Sequence, residues 1–522
     1  MKKGPKFRTY ELMKHISVQK GGPFTMQDTN LDIHDPFFEA KDLLNGLIDV
    51  LCTQKWLQAE HGEVEQLIHK DGYEVMRLVL QGYLDERARQ EPDFDSIRHG
   101  TCEYTHKRKN CLRQLNTIFG KVRACRRSYS DGGVDSIFPQ DAQLNLSADQ
   151  YSDGLRRQIA FTVSNQSFDK TSESISRNTA TTVAKRQVEN ITRNLSQDFD
   201  AFYQSRQVEN SDTSDLLVLT CDGKGVVMRQ ADLRPATQKA AKSNKHKKQT
   251  RLSRGEKRNR KRMETVASVY DIVPHSRSAD SIIGSKEADN SQPPKPTNKR
   301  VWASVEKSPR EIIEQMFVEA RRRDPNQKRE WAVLVDGQPT QLKRLHQVMK
   351  KQKIKTTIVL DFIHVLEYLW KAAYCFFDES SQETEDWVKE RALKVLNGGA
   401  SQVAAGIRRS STKRNLNSKE RKNADKCSDY LLKYKNYLRY DKYLAAGYPI
   451  ATGVIEGACR YLIKDRMDIT GARWGLQGAE AVIKLRAIIT SNDFDKYFTF
   501  HKQKQRQKNY PLYEEIEYKM AA

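Results

Sequence analysis

The sequence predicts an α/β protein, a mixed β-sheet covered by helices and preceded by helical, β-hairpin and helix-turn-helix modules. Three observations predict it. Short apolar runs recur in the order three strands, helix, strand, helix, strand. Two earlier stretches repeat apolar residues at helical spacing. The excess positive charge is gathered in a few segments rather than spread over the elements.

The 522 residues suggest three or four domains at about 150 residues each, which excludes one small binding module. Hydrophobic residues at 38% and charged ones at 30% allow real cores. The 90 Lys and Arg against 67 Asp and Glu leave +23, a charge that makes nucleic acid the first partner to expect. The basic start lacks the apolar stretch of a secretory signal, and the run from Tyr368 to Phe377 is broken by Lys371, so export and membrane insertion are not expected. The eight cysteines are scattered and read as reduced intracellular thiols. Cys102, His106, Cys111 and Cys125 match no common zinc spacing.

Residues 36–100 read helical through Leu43, Leu47, Val50 and Leu51, then Val64, Leu67, Val75, Leu78 and Leu80. From Cys111 to Arg127 a hairpin is expected, with Leu112, Gln114, Asn116 and Ile118 on one face and Val122, Ala124 and Arg126 returning. Gly132, Gly133 and Pro139 mark a loop. Three short helices follow, Gly154 to Val163, Phe168 to Ile175, and Thr182 to Leu195, the last capped by its Thr. Lys185, Arg186, Gln187 and Asn190 suit phosphate and base edges if this is a helix-turn-helix; a plain three-helix packing unit explains them equally.

Strands are expected at Leu216 to Thr220, Val226 to Met228, Val266 to Val273, Ala332 to Val335 and Ile358 to Leu360. A helix begins at Ser308 with Pro309 in its first turn and Glu311 completing a capping box, and another runs from Gln341 to Lys350. Residues 239–262 hold twelve Lys or Arg against one Glu and read as a loop or arm, as does the polar stretch 285–298. Residues 383–446 are helical and polar, with tyrosines at 430, 434, 437, 440 and 443. Helix packing explains that stripe better than base stacking, although Lys433, Lys435, Arg439 and Lys442 lie between them.

Three carboxylates follow apolar strands: Asp222, Asp336 and Asp361. An acid at a strand end stands at the rim of a sheet, where ligands of α/β proteins bind. Asp222 and Asp336 precede glycines, which admit a ligand to the backbone; a simple Asp-Gly turn is the plainer explanation of either alone. Two such acids with a third could bind paired Mg²⁺ ions for phosphoryl transfer. Glu456 opens a helical stretch after Gly447, Pro449 and Gly453 and is the candidate; alone, an ion pair with Arg460 would explain it.

CDGKGVVM at 221–228, VLVDGQP at 333–339, DFIHVLEYLWKAA at 361–373 and GVIEGACRYLIKDRMDITGARW at 453–474 carry a resemblance. Over roughly residues 40–500 the sequence resembles the ISKra-type bacterial insertion-sequence DDE transposases, a group related to the Mutator-like transposases. The resemblance implies an RNase H-like catalytic domain with the acidic triad Asp222, Asp336 and Glu456 holding two Mg²⁺ ions, with Mn²⁺ as a substitute. It places Asp361 and His364 near the site as supporting groups, and Arg460, Lys464, Arg473 and Trp474 near the active-site helix as DNA contacts. Salt bridge and core packing are the alternatives for these four, evenly weighed for Trp474.

The domains expected are a basic arm and helical domain at 1–100, a hairpin module at 101–149, a helix-turn-helix-like module at 150–200 and a catalytic core at 201–380 with the basic insertion. A helical insertion at 381–449, the rest of the core at 450–500 and a basic tail at 501–522 complete the chain. Lys247, Lys248, Arg258, Arg260, Lys261 and Arg262 in the insertion are expected DNA contacts. The implied activity is binding of terminal inverted repeats, hydrolytic cleavage of DNA ends and attack of the 3′-hydroxyl on target DNA, by a homo-oligomer at the bacterial nucleoid. The alternatives are a silent DNA-binding derivative of such an enzyme, or a structure-selective nuclease of the same fold. Residues 1–22 carry net +5, residues 239–262 net +11 and residues 502–508 net +4, leaving the remainder nearly neutral.

Overall fold

A computed structural model describes residues 35–131, 133, 135–206, 214–243, 253–284, 293–469, 471–514 and 517–520. Two long helices come first, α1 (Phe38–Leu51) and α2 (His61–Arg89), with a single helical turn at Gln54–Leu57 between them. Their apolar repeat buries only Ala40, Val75 and Leu84, while Leu44, Ile48, Met76 and Val79 stay exposed. Gly82 is needed where they meet, because a Cβ there would stand 2.4 Å from the Pro36 carbonyl oxygen.

Strands β1 (Phe94–His99) and β2 (Cys102–Tyr104) lead into the hairpin of β3 (His106–Thr117) and β4 (Gly120–Ser130), longer than the expected 111–127. Its buried face is Leu115, Val122 and Ala124, set against Leu80 and Leu84 of α2. Leu112 is 62% exposed. Of the expected face of Leu112, Gln114, Asn116 and Ile118, Leu112 and Gln114 are on the outer side, because Leu115 pairs with Val122 and a one-residue offset exchanges the faces; Asn116 is buried and Ile118, past the strand, packs against the main core.

Helices α3 (Asp153–Asn165), α4 (Phe168–Asn178) and α5 (Lys185–Ser196) follow. Ser152 and Ser167 cap the first two through their side chains. The third begins three residues later than expected: Ala184 keeps an extended backbone and stands at the cap position, so Thr182 caps nothing. Val188, Ile191 and Leu195 of α5 belong to the same continuous core as the sheet that follows.

That sheet has five strands: β5 (Leu216–Val227), β6 (Lys261–Ile272), β7 (Thr297–Ser304), β8 (Trp331–Val335) and β9 (Thr357–Leu360), in spatial order β7-β6-β5-β8-β9. The first three pair antiparallel; β8 and β9 run parallel to β5. Three expectations change. The segment 239–262, expected as a loop or arm, overlaps the helix Pro235–Ser243, holds the helix Arg254–Arg258 and ends in the first residues of β6. The runs at 216–220 and 226–228 are one strand, since β6 pairs β5 without a break from Leu216↔Ile272 to Val227↔Lys261 and Gly223 does not turn the chain. The strand β7 starts inside the polar stretch expected to be a loop. Its Arg300 is buried beside Glu319, so charge there marks an internal ion pair rather than solvent.

Around the sheet lie α6 (Pro309–Arg323), α7 (Pro339–Gln352) and α8 (Phe362–Ala373), then the helical insertion α9 (Gln382–Leu396), α10 (Ala400–Lys413), α11 (Lys422–Tyr434) and α12 (Tyr440–Ala445). Ser308 and Glu311 form the capping box of α6. Helix α13 (Gly453–Ala458) runs into a π-helical segment, Cys459–Lys464; α14 (Leu476–Thr490), α15 (Phe494–Asn509) and β10 (Glu517–Met520) close the chain. The last strand pairs with β1, tying the C-terminal end to the hairpin region.

The tyrosine stripe packs the insertion against the sheet. Tyr440 and Tyr443 donate hydroxyls to the carbonyl oxygens of Leu360 and Ile358 at 2.8 and 3.3 Å, satisfying acceptors of the edge strand β9. Tyr430 stacks on Tyr368 of α8 with ring centroids 4.2 Å apart. The buried rings of Tyr430, Tyr434, Tyr440 and Tyr443 offer no platform for bases.

Candidate active site

Asp222 lies within β5, two residues past Thr220, the last residue of β5 that pairs with β8. It is therefore not at a strand end, as expected, but at the point where the parallel neighbour stops and leaves its side chain half-buried at the rim. Its Oδ1 accepts from the Gly223 amide at 2.6 Å and its Oδ2 from the Cys459 thiol at 3.4 Å. Burial pushes its carboxyl above the usual range, and nearby Asp336 adds to the shift. Asp336 follows β8 directly, with its Oδ1 accepting from the Gln338 amide. Between the two acids, the buried Cys221 thiol is pushed up to about 12 by burial and by the charges of Asp222 and Asp336. Gln341 of α7 holds Cys221, donating to its carbonyl oxygen at 2.8 Å.

Asp361, 2% exposed, caps α8 and accepts from the Ile363 amide. Its other partners are Thr452 groups: the amide at 3.2 Å and the hydroxyl at 2.7 Å. The same hydroxyl oxygen lies 3.1 Å from Glu456 Oε1, so Thr452 links the buried acid to the exposed one. Burial raises the Asp361 carboxyl, partly offset by Thr452, with Glu456 adding to the rise. The Asp361 amide donates to Val335, the residue before Asp336, which brings this second group beside the first. Cys459, three residues beyond Glu456, carries the same helix back to Asp222.

The π-helical turn after Glu456 has its own support. Arg486 of α14 donates to the carbonyl oxygens of Leu462, Tyr461 and Ser164, fixing the widened backbone and joining it to α3. Such turns concentrate at functional sites. Cys459 stays a protonated donor, since burial and Asp222 both raise its thiol.

Among the described residues, none of Asp222, Asp336, Asp361 and Glu456 has a Lys or Arg ion-pair partner. Their oxygens are the hard donors that suit Mg²⁺ or Mn²⁺. Their side chains are not drawn onto one point: among the described residues no group of three or more His, Cys, Asp or Glu is arranged to hold a metal ion.

The other expected residues scatter. His364 is half-buried one turn from Tyr368, with ring centroids 6.1 Å apart. Trp474 is buried, donates to Met467 O at 3.0 Å and lies under the Arg466 guanidinium, so it is core and not a base-stacking surface. Arg460 and Lys464 are exposed, Arg460 lying 3.9 Å from Asp465 rather than pairing with Glu456. Arg473 is exposed.

Lys247 and Lys248 lie outside the described residues. Arg258 and Arg260 are exposed and Lys261 lies 3.8 Å from Asp468. Arg262 is taken up by the carbonyl oxygens of Val305 and Asp232, which corrects its expected role as a DNA contact. On α5, Arg186 and Asn190 are exposed, Gln187 is half-buried and Lys185 pairs with Asp169 at 2.7 Å. Thr452, Cys459 and Gln341 were not anticipated. Only Cys459 had a signal, its three-residue offset from Glu456.

No protein-family model matches this chain, and no curated protein matches it. No helix among the described residues is long and apolar enough to cross a membrane.

Proposed function

We propose that this protein is a DDE-type transposase of an insertion sequence, acting on double-stranded DNA through an RNase H-like catalytic core. The observation that carries the reading is an acid group without cationic partners at one rim of the sheet, in a chain of net charge +23. Lysines and arginines are plentiful, yet none among the described residues forms an ion pair with these carboxylates, Lys224 acting on Asp222 only at longer range. That leaves a demand for cations from outside. The strand order, with three antiparallel strands and two parallel ones beyond β5, agrees with the RNase H-like arrangement.

In this reading Asp222, Asp336 and Glu456 hold two Mg²⁺ ions. Bound there, the ions would activate the attacking oxygen and stabilise the leaving oxygen of a phosphodiester. Asp361 and Thr452 orient Glu456, and the Cys459 thiol directs Asp222 Oδ2 by its hydrogen bond. Water attacks at the element end, releasing a 3′-hydroxyl that then attacks target DNA in line; no side chain forms a covalent bond to DNA. Two or more copies bridging the ends complete the proposal.

End cleavage and strand transfer by Asp222→Asn, Asp336→Asn and Glu456→Gln proteins test the triad, and full activity in any one rejects it. A DNA-binding protein that no longer cuts is the second reading. Mg²⁺-dependent nicking of an end-containing duplex separates the two.

A further inference from the structure

The far end of β5 builds a second, oppositely charged site. Beyond Val227 the chain is clamped on both sides. Met228 N donates to Arg260 O at 3.0 Å, Trp474 N to Val227 O at 3.0 Å and Arg229 N to Trp474 O at 2.8 Å. Alternation along this short bridge turns Trp474 into the core and leaves Arg473 outside. Gly475 leaves room beside it: a Cβ there would lie 3.8 Å from a terminal nitrogen of Arg229 and 3.9 Å from Oδ2 of Asp232, which borders the cluster without forming an ion pair to it.

The result is a groove of about 360 Å³ whose lining includes Arg229, Arg260, Arg473 and Gln230. All three arginines are exposed, and none has a carboxylate partner among the described residues. The one carboxylate in the lining, Glu256, already accepts from the Ser253 amide at 2.7 Å. By contrast Arg262, two residues beyond Arg260, is held by the carbonyl oxygens of Val305 and Asp232. Three exposed guanidinium groups carried on segments that are hydrogen-bonded to one another form a cluster suited to anions.

We infer that this groove grips the sugar-phosphate backbone of duplex DNA away from the reacting phosphate, an assignment that rests on the transposase reading. The spacing favours a polymer. Six residues of extended chain separate Asp222 from Met228, about 20 Å at ~3.3 Å per residue. At ~3.4 Å per base step that corresponds to about six base pairs. One duplex can therefore reach the acids and the arginines together, and the arginines compensate the repulsion between phosphate and the acid group.

The test uses the full chain without Mg²⁺, so that binding is read apart from cleavage. Fluorescence anisotropy of a labelled duplex is followed over a salt series for wild type, for Arg229→Ala/Arg260→Ala/Arg473→Ala, and for the three corresponding Lys substitutions. Unfolding curves check that each exposed substitution leaves the fold intact. The Ala protein is expected to lose about two to three units of the log–log salt slope and at least about tenfold in low-salt affinity, and the Lys protein to keep the slope. An Ala protein with the wild-type slope overturns the groove and leaves the transposase reading standing. Wild type that binds no DNA overturns both. Inorganic pyrophosphate binding wild type as tightly as duplex overturns the backbone assignment in favour of a small-anion site.

Discussion

Asp222 and Asp361 are both aspartates at the rim of the same sheet, two strands apart, and their surroundings are opposite. Asp361 is almost fully enclosed and receives three hydrogen bonds, from Ile363 N, Thr452 N and the Thr452 hydroxyl. Asp222 is half-buried, receives a backbone amide and one thiol, and faces the like charge of Asp336. A satisfied buried acid is scaffolding; an acid held against a like charge with weak donors is kept for a ligand that has yet to arrive.

The sharpest way to break that contrast is to exchange the effects. Asp222→Asn is expected to abolish strand transfer by about a thousandfold or more, several kcal/mol of transition-state stabilisation, while thermal unfolding stays level or rises. Asp361→Ala should do the reverse in stability, costing about 3 kcal/mol in urea unfolding because the Thr452 amide loses its partner in a buried site. If Asp222→Asn unfolds the protein and Asp361→Ala does not, the roles assigned above are inverted.

A smaller effect is expected at the link. Thr452→Val keeps the shape and removes the hydroxyl shared by Asp361 and Glu456, so it should cost about 1–2 kcal/mol of stability. Cleavage should fall with it while the affinity for duplex DNA stays unchanged. Restoration by Thr452→Ser would show that the hydroxyl, not the volume, is responsible.

The smallest effect concerns Glu264 of β6, 1% exposed, with neither carboxyl oxygen hydrogen-bonded. Its neighbour Glu480 accepts from Ser304 and from the Val305 and Glu306 amides. Burial, with Glu480 next, raises the Glu264 carboxyl well above its usual value. The folded state then holds a proton that the unfolded chain releases, so stability falls as pH rises past the ordinary carboxylate range. Glu264→Gln should flatten that decline and add about 1 kcal/mol at neutral pH, read by unfolding at several pH values. An unchanged slope would place a cation beside Glu264.

The strands carrying Asp336 and Asp361 were legible because each acid ends an unbroken apolar run, which in a parallel sheet marks a buried strand reaching its rim. Strand β7 was not, because Arg300 looks like a solvent residue until Glu319 on α6 is brought against it. Thr452 had no chemical signature at all. It is 91 residues from Asp361, and only the packing of the helical insertion brings the two together. Trp474 failed for the converse reason: an aromatic within a basic block suggests stacking, and nothing local reveals that its indole is enclosed by Arg466 and Phe168.

The π-helical turn at Cys459–Lys464 sets a phase. One extra residue in a helix rotates everything after it by about 100° at 3.6 residues per turn. Glu456 and Cys459 enter from one side of that offset, and Arg466 and Met467, buried in the core, leave from the other. A single-residue deletion inside the turn would restore an ordinary helix and could keep only one of the two halves in place. The acid and its anchor are thus timed to each other like two gears one tooth apart.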